Sequence, residues 1–306
     1  MAASEVLPEA FVHNVLAVRG EDAGRAFLDR LPAIVDECAD RWSLAVQPAY
    51  PGLSYNWVAP VITADGARAV LKVGFAADPE FQCEIEALRL YDGEGAVRLF
   101  AALPEMGAIL IEQAMPGHTL LEVDDRVATE TVAFVMRRLW RPLPANHGFP
   151  TVARWALAFE RMRARFGGGT GPLPGRLVAR AEEVYAAFLG EGREQVLLHG
   201  DLHHTNVLAS AREPWLAIDP KGLAGEREYE VGAFLRNPLD LASRPGAAAT
   251  LDRRLATFAT MLGFDRERMR LWAMAQAVLS AVWTLEGGEV AAGMLETARI
   301  LAEDVR

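Results

Sequence analysis

The sequence predicts an α+β protein of two lobes: a small antiparallel β-sheet lobe with one main helix, then a larger, mostly helical lobe. Three observations predict it. The first third alternates apolar and polar residues between turn signals, the pattern of half-buried strands. After Pro116-Gly117 the apolar spacing lengthens to that of amphipathic helices. The chain has 306 residues, more than one core comfortably serves. The change of pattern at residues 112–117 divides the chain. Residues 1–113, with an N-terminal helical extension, form the first lobe, and 114–306 the second.

In order, residues 42–47 are expected as a strand. Residues 55–63 and 67–74 flank Asp65-Gly66, a hairpin signal, because glycine takes the positive φ of a tight turn. A helix follows. Asp78 can cap it, and Pro79 suits the first helical position, where an N–H would lack a partner anyway. Phe81, Ile85 and Leu88 share one face, and Gly93 or Gly95 ends the helix. Residues 97–103 and 108–113 form a strand pair around 104–107. Helical spacing then covers 124–140, 151–166, 174–191, 247–262, 265–286 and 289–305, with strands only at 195–198 and 215–218. Residues 166–175, FGGGTGPLPG, are a loop between helices. The longest apolar stretch, 273–285, contains Gln276 and Ser280 and is too short to span a bilayer, so it is expected as a buried core helix.

With 51% hydrophobic and 24% charged residues, the composition is that of a globular protein and not of a disordered one. The formal net charge of −10 argues against nucleic acid or an acidic membrane as partner. It serves solubility and suits a cationic ligand. Cys38 and Cys83 make neither a disulfide framework nor a zinc spacing, which points to a reducing, cytoplasmic setting. The first residues lack a basic segment followed by an apolar run, so no signal peptide is expected. Of 31 basic residues only Lys72 and Lys221 are lysines. Where arginine is otherwise the rule, these two positions ask for a compact ammonium.

The most informative stretch is VLLHGDLHHTNVLASAREPWLAIDPK, from Val196 to Lys221. His199, Asp201 and Asn206 match the spacing of the protein-kinase catalytic loop, H-R-D-x-x-x-x-N, with Gly200 in the arginine place. Asp219 follows at the end of a short strand. The chemistry needs these residue types. A carboxylate, Asp201, orients the attacking hydroxyl and accepts its proton. Magnesium prefers hard oxygen ligands, which Asn206 and Asp219 supply. A rival set, His199, His203 and His204, has a spacing that can bind zinc but needs a helix and a further ligand. His203 and His204 are instead expected to shape the loop.

A kinase also needs a lysine on a strand of the small lobe and a glutamate on the next helix. Lys72, in AVLKV, meets the first demand. Glu84 and Glu86 both lie on the helix, two positions apart, so only one can face the lysine. Glu84 adjoins the apolar stripe and is preferred. The segment Pro51-Gly52-Leu53-Ser54 sits where a glycine-rich loop would, with one glycine, and Ser54 is its candidate phosphate contact. Glu112-Gln113-Ala114-Met115 would offer backbone groups to adenine, and Met115 an apolar surface.

The runs LLHGDLHHTNVL and WLAIDPKG, with GAVRLFAAL at residues 95–103, resemble the aminoglycoside phosphotransferases, specifically their streptomycin 6-kinase and hydroxyurea phosphotransferase branch. The resemblance covers most of the chain from Trp42 onward. It implies a protein-kinase-like fold and ATP- and Mg2+-dependent phosphorylation of a hydroxyl on streptomycin or a similar compound, giving antibiotic resistance. By position it implies Asp201 as base, Asn206 and Asp219 as magnesium ligands, and Lys72 with Glu84 as phosphate clamp. Thr205 stands where many relatives have glycine, and Glu230 where an aspartate is common. Hydroxyurea or another small metabolite is the alternative acceptor, and a nucleotide-binding module without turnover the alternative class. No long activation segment follows Asp219, so the acceptor is a small molecule. Glu226, Glu230 and Glu286 are candidates to meet its cationic groups, as are Glu228 and Asp240, and Trp283 to stack on one. Lys221 has two open roles, near the γ-phosphate or holding the loop.

Overall fold

A computed structural model describes residues 7–303. The chain separates into two compact units after Gly117.

The first unit begins with two helices, α1 (Glu9–Arg19) and α2 (Glu21–Trp42). In α2, Phe27, Leu31, Ile34, Val35 and Cys38 are buried, the stripe expected of a 3.6-residue repeat. The strands are β1 (Ala45–Val46), β2 (Trp57–Ile62) and β3 (Arg68–Val73), then helix α3 (Pro79–Tyr91), then β4 (Leu99–Leu103) and β5 (Ala108–Glu112). They form one sheet in the order β1-β2-β3-β5-β4. The strand expected at 42–47 is only two residues long, because the stripe of α2 carries the helix through Trp42 and Ser43 ends it in the left-handed region, φ 53°. Asp78 caps α3 and Pro79 opens it, as expected, but Asp92 closes it one residue before Gly93.

β3 is buried on both faces. Ala69, Leu71 and Val73 join the core formed with α1 and α2. Period-two alternation sends Val70 and Lys72 to the other face. There Lys72 lies between Val58 and Ile109 in the register of the sheet.

Strand β6 (Pro116–Thr119) carries the chain into the second unit. There follow α4 (Asp125–Leu139), β7 (Arg141–Pro142), α5 (Val152–Arg165) and α6 (Gly175–Gly190). Next come β8 (Val196–Leu198), β9 (Val207–Ser210), β10 (Trp215–Ala217) and β11 (Leu223–Gly225). The short helix α7 (Val231–Leu235) precedes α8 (Ala247–Leu262), α9 (Arg266–Glu286) and α10 (Ala292–Ala302). Two three-stranded sheets, β10-β9-β6 and β11-β8-β7, hold the loop after β8 between them. Only two strands of this unit were expected. The others are two to four residues long, too short to show a period, and exist because they pair over long range. The last expected helix starts at Ala292, not residue 289, and its expected end at 304–305 lies outside the described residues. α9 is buried along most of its length, including 273–282, and is the axis of the unit. Among the described residues no helix is long and apolar enough to cross a membrane.

Candidate active site

In the first unit, Lys72 and Glu84 form a buried ion pair. The ammonium donates to both carboxylate oxygens at 2.7 Å, and both side chains are under a tenth exposed. Glu86 faces outward and pairs with Arg89. The alternation of β3 and the helical phase of α3 produce this together, since both residues occupy apolar-facing positions. Glu112 turns its carboxylate to the backbone N–H of Arg98 (3.0 Å), and its own N–H donates to the Arg98 carbonyl (2.8 Å), so neither the side chain nor the N–H is offered to adenine as the sequence suggested. Met115 is 40% exposed. Ser54 is exposed beside Leu53, which anchors its turn in the core.

In the second unit, β8 delivers His199 and the chain turns at Gly200, φ 85°. A Cβ there would stand 3.1 Å from the ring of Trp155, so glycine is needed for backbone and space alike. His199 is fully buried. Its Nε2–H donates to the Ile218 carbonyl (2.8 Å) and its Nδ1 accepts the Asp201 N–H (3.2 Å). A carbonyl can only accept, which fixes the neutral tautomer. Burial pushes this imidazole down to about 4. The ring thus ties the start of the loop to the end of β10.

Asp201 is a quarter exposed. Its Oδ1 accepts from Arg236 at 2.8 Å, and His203 Nε2 stands 3.4 Å from Oδ2. Burial opposes ionisation, but His203, Arg236 and Lys221 outweigh it and hold the carboxyl well below the usual carboxylate range. Lys221 also donates its backbone N–H to the His199 carbonyl (2.8 Å). The turn His204–Asn206 brings in Asn206, whose amide nitrogen donates to the Asp201 carbonyl (3.0 Å). That commits the nitrogen and leaves the amide oxygen as the end for a cation. The Ile218 N–H donates to the Asn206 carbonyl (2.9 Å), so Asp219, the next residue, emerges beside Asn206. Asp219 takes the left-handed region, φ 59°, uncommon for a residue with a side chain. Two hard oxygen donors brought together in this way fit a magnesium ion that completes its shell with phosphate and water.

Several sequence expectations are corrected here. Glu230 does not face an acceptor. It is 2% exposed, and its two oxygens accept the backbone N–H groups of His199 (2.7 Å) and Gly200 (2.9 Å). Burial pushes its carboxyl up to about 7 despite those donors. Glu230 is a buckle for the loop. Glu226 is also buried, held by Arg268 (2.8 and 2.6 Å) and by the Trp272 indole N–H. Glu286 remains accessible but is paired with Arg161 at 2.8 Å. Glu228 and Asp240 are likewise paired, with Arg193 and Arg244. The three histidines do not converge. His204 is buried, stacks on Phe234 at 4.0 Å and meets Arg254, whereas His203 faces Asp201 and Thr205. Burial and the Arg254 charge push His204 down to about 3. Among the described residues no three His, Cys, Asp or Glu side chains group as a metal site.

Nothing in the sequence marks Arg236 or ties it to Gln276, with which it shares a hydrogen bond of 3.1 Å. They are remote from the motif and become neighbours only through packing. Trp155 was equally silent. It lies against Gly200 and meets Trp283 edge to face at 5.2 Å, both rings half-buried.

With this geometry, comparison with known proteins is informative. A model of the family described as aminoglycoside/hydroxyurea antibiotic resistance kinase matches residues 41–288. A streptomycin 6-kinase of Streptomyces glaucescens is 33% identical over 288 residues, 93% of this chain and 92% of that protein. A hydroxyurea phosphotransferase of Kitasatospora aureofaciens is 38% identical over 285 residues, 89% of this chain and 78% of that protein. Among solved structures, a thermostable mutant of an aminoglycoside phosphotransferase, in ternary complex with ADP and hygromycin B, matches with a TM-score of 0.61. It covers 89% of this chain and 98% of that one at 13% identity. That likeness establishes the protein-kinase-like fold expected from the sequence.

Proposed function

Because this chain belongs to the aminoglycoside/hydroxyurea antibiotic resistance kinase family and is a phosphotransferase with a hydroxyl acceptor, we propose that it moves the γ-phosphoryl group of ATP to a hydroxyl of a streptomycin-type antibiotic and so confers resistance. One observation carries the mechanism: the Asp201 carboxylate is fixed through Oδ1, and its own backbone anchors Asn206. Asp201 orients the acceptor hydroxyl and receives its proton. Lys72, held in place by Glu84, neutralises phosphate charge. Asn206 and Asp219 would hold magnesium, which when bound offsets charge on the phosphates. His199 and Glu230 keep the loop in shape through its backbone.

The half-buried ring of Trp155 beside Gly200, with Trp283 edge to face against it, suits a planar guanidinium or an apolar ring. A cationic acceptor is favoured by the streptomycin 6-kinase relative. A second reading, hydroxyurea as acceptor, is favoured by the burial of Glu226 and Glu230, which removes two carboxylates from cation binding, and by the hydroxyurea phosphotransferase relative. ATP use and thiols without a disulfide support a cytoplasmic setting.

The test is a panel of acceptors, streptomycin and hydroxyurea first, with ATP and magnesium, ranked by kcat/KM. Streptomycin should lead. Asp201→Ala should lose about 10²–10⁴ in rate with ATP binding kept. Full turnover by that variant overturns the mechanism, and a leading neutral acceptor overturns the substrate.

A further inference from the structure

We propose that Arg236 is a positioning residue for the transfer: its guanidinium holds one oxygen of the Asp201 carboxylate so that the other is presented to the acceptor hydroxyl. This rests on Asp201 as the group that receives that hydroxyl.

Arg236 sits at the end of α7, and its side chain is 10% exposed. One terminal nitrogen donates to Asp201 Oδ1 at 2.8 Å, and the other to Gln276 Oε1 at 3.1 Å. Gln276, buried on α9, donates its amide nitrogen to the Tyr229 carbonyl. Gly232 makes the room, because a Cβ there would overlap the Gln276 amide. The guanidinium is therefore clamped between α9 and the loop, and the clamp reaches into the long buried helix of the unit.

The arrangement is poorly explained by stability alone. A carboxylate that is a quarter exposed stays ionised in contact with water, and a half-desolvated ion pair adds little net stability. What the contact supplies is orientation. The terminal torsion of an aspartate is broad and two-fold, so a free carboxylate swings. With Oδ1 held, Oδ2 faces one way, and its contact with His203 Nε2, at 3.4 Å, is long and leaves Oδ2 acceptor capacity for a hydroxyl proton. A planar fork reaches two partners at once, as Asp201 and Gln276 require, whereas an ammonium cannot hold both in one plane.

A double-mutant cycle tests this, using the best acceptor of the panel and the full chain. Arg236→Met should lower kcat about 10- to 100-fold, with KM for ATP and acceptor within about threefold and the variant still folded at the assay temperature. Arg236→Lys should recover part of the loss. In the Asp201→Ala background, followed with radiolabelled ATP, Arg236→Met should cost less than about twofold, because its target is gone. An equal loss in both backgrounds, or no loss in the parent, overturns the proposal. Full turnover by Asp201→Ala alone overturns the Asp201 reading instead. If Arg236→Met does not fold, Gln276→Leu removes the support from behind and must show the same split between kcat and KM. A loss carried by KM overturns it.

Discussion

Single residues carry most of the chemistry, and their surroundings decide which ones. Lys72 and Glu84 form a charge pair inside the first unit, on the face of β3 opposite α2. Two desolvated charges tolerate each other because each satisfies the other. Removing one strands its partner, a penalty of about 3–5 kcal/mol. Glu84→Gln should therefore lower the thermal midpoint sharply as well as activity. Glu86→Gln, whose pair with Arg89 is half exposed, should shift stability by less than about 0.5 kcal/mol. Parallel thermal melts of the two variants check this, and equal losses would refute it. The choice between these glutamates was legible in the sequence because helical phase alone separates them. The roles of Glu226 and Glu230 were not, because a carboxylate reads the same whether it meets a ligand or a backbone N–H.

At the scale of elements, the second unit is arranged around α9. Arg268, in its first turn, pairs with Glu226 after β11 and with Glu191 after α6, and lies over the ring of Phe188 at 3.9 Å. The Trp272 indole N–H donates to the same Glu226. This network joins the α6 end, the β11 exit and the α9 start far from Asp201 in sequence. Glu226→Gln should cost about 3 kcal/mol, since it leaves the Arg268 guanidinium underpaired. The folded fraction should keep its kcat/KM. Chemical denaturation and kinetics on one preparation separate the two outcomes, and a raised acceptor KM at unchanged stability would restore a substrate role. Long elements showed in the sequence, α4 and α8 because their stripes repeat over four or more turns, and α9 because its apolar run is nearly continuous. The short strands around the loop after β8 did not, because pairing creates them and local pattern does not.

Over the whole molecule, buried titratable groups set the response to acid. His199 and His204 are neutral when folded, at about 4 and about 3 against an ordinary 6.5. The unfolded chain binds protons at these rings below 6.5 and the folded chain does not. Their contribution is thus complete above pH 6.5 and is lost as pH falls toward 4. For His199 alone it is on the order of 3 kcal/mol. Glu230 acts in the opposite sense. Its carboxyl, up at about 7 from 4.5, favours the folded state below 4.5, and that contribution is lost as pH rises through 7. The two rings together outweigh the one carboxyl, so thermal midpoints should fall between pH 6.5 and 5, and a maximum near pH 5 would refute this. The sequence by itself determined the fold class, the β3 lysine with its α3 glutamate, and the spaced Asp201, Asn206 and Asp219. Each is written in local periodicity or in a motif whose chemistry tolerates few alternatives. Only the tertiary structure decided that Glu226 and Glu230 are braces, that Trp155 lines the loop, and that Arg236 holds Asp201. A side chain's partner depends on which distant segments packing brings within hydrogen-bond reach, and that distance is not recorded along the chain.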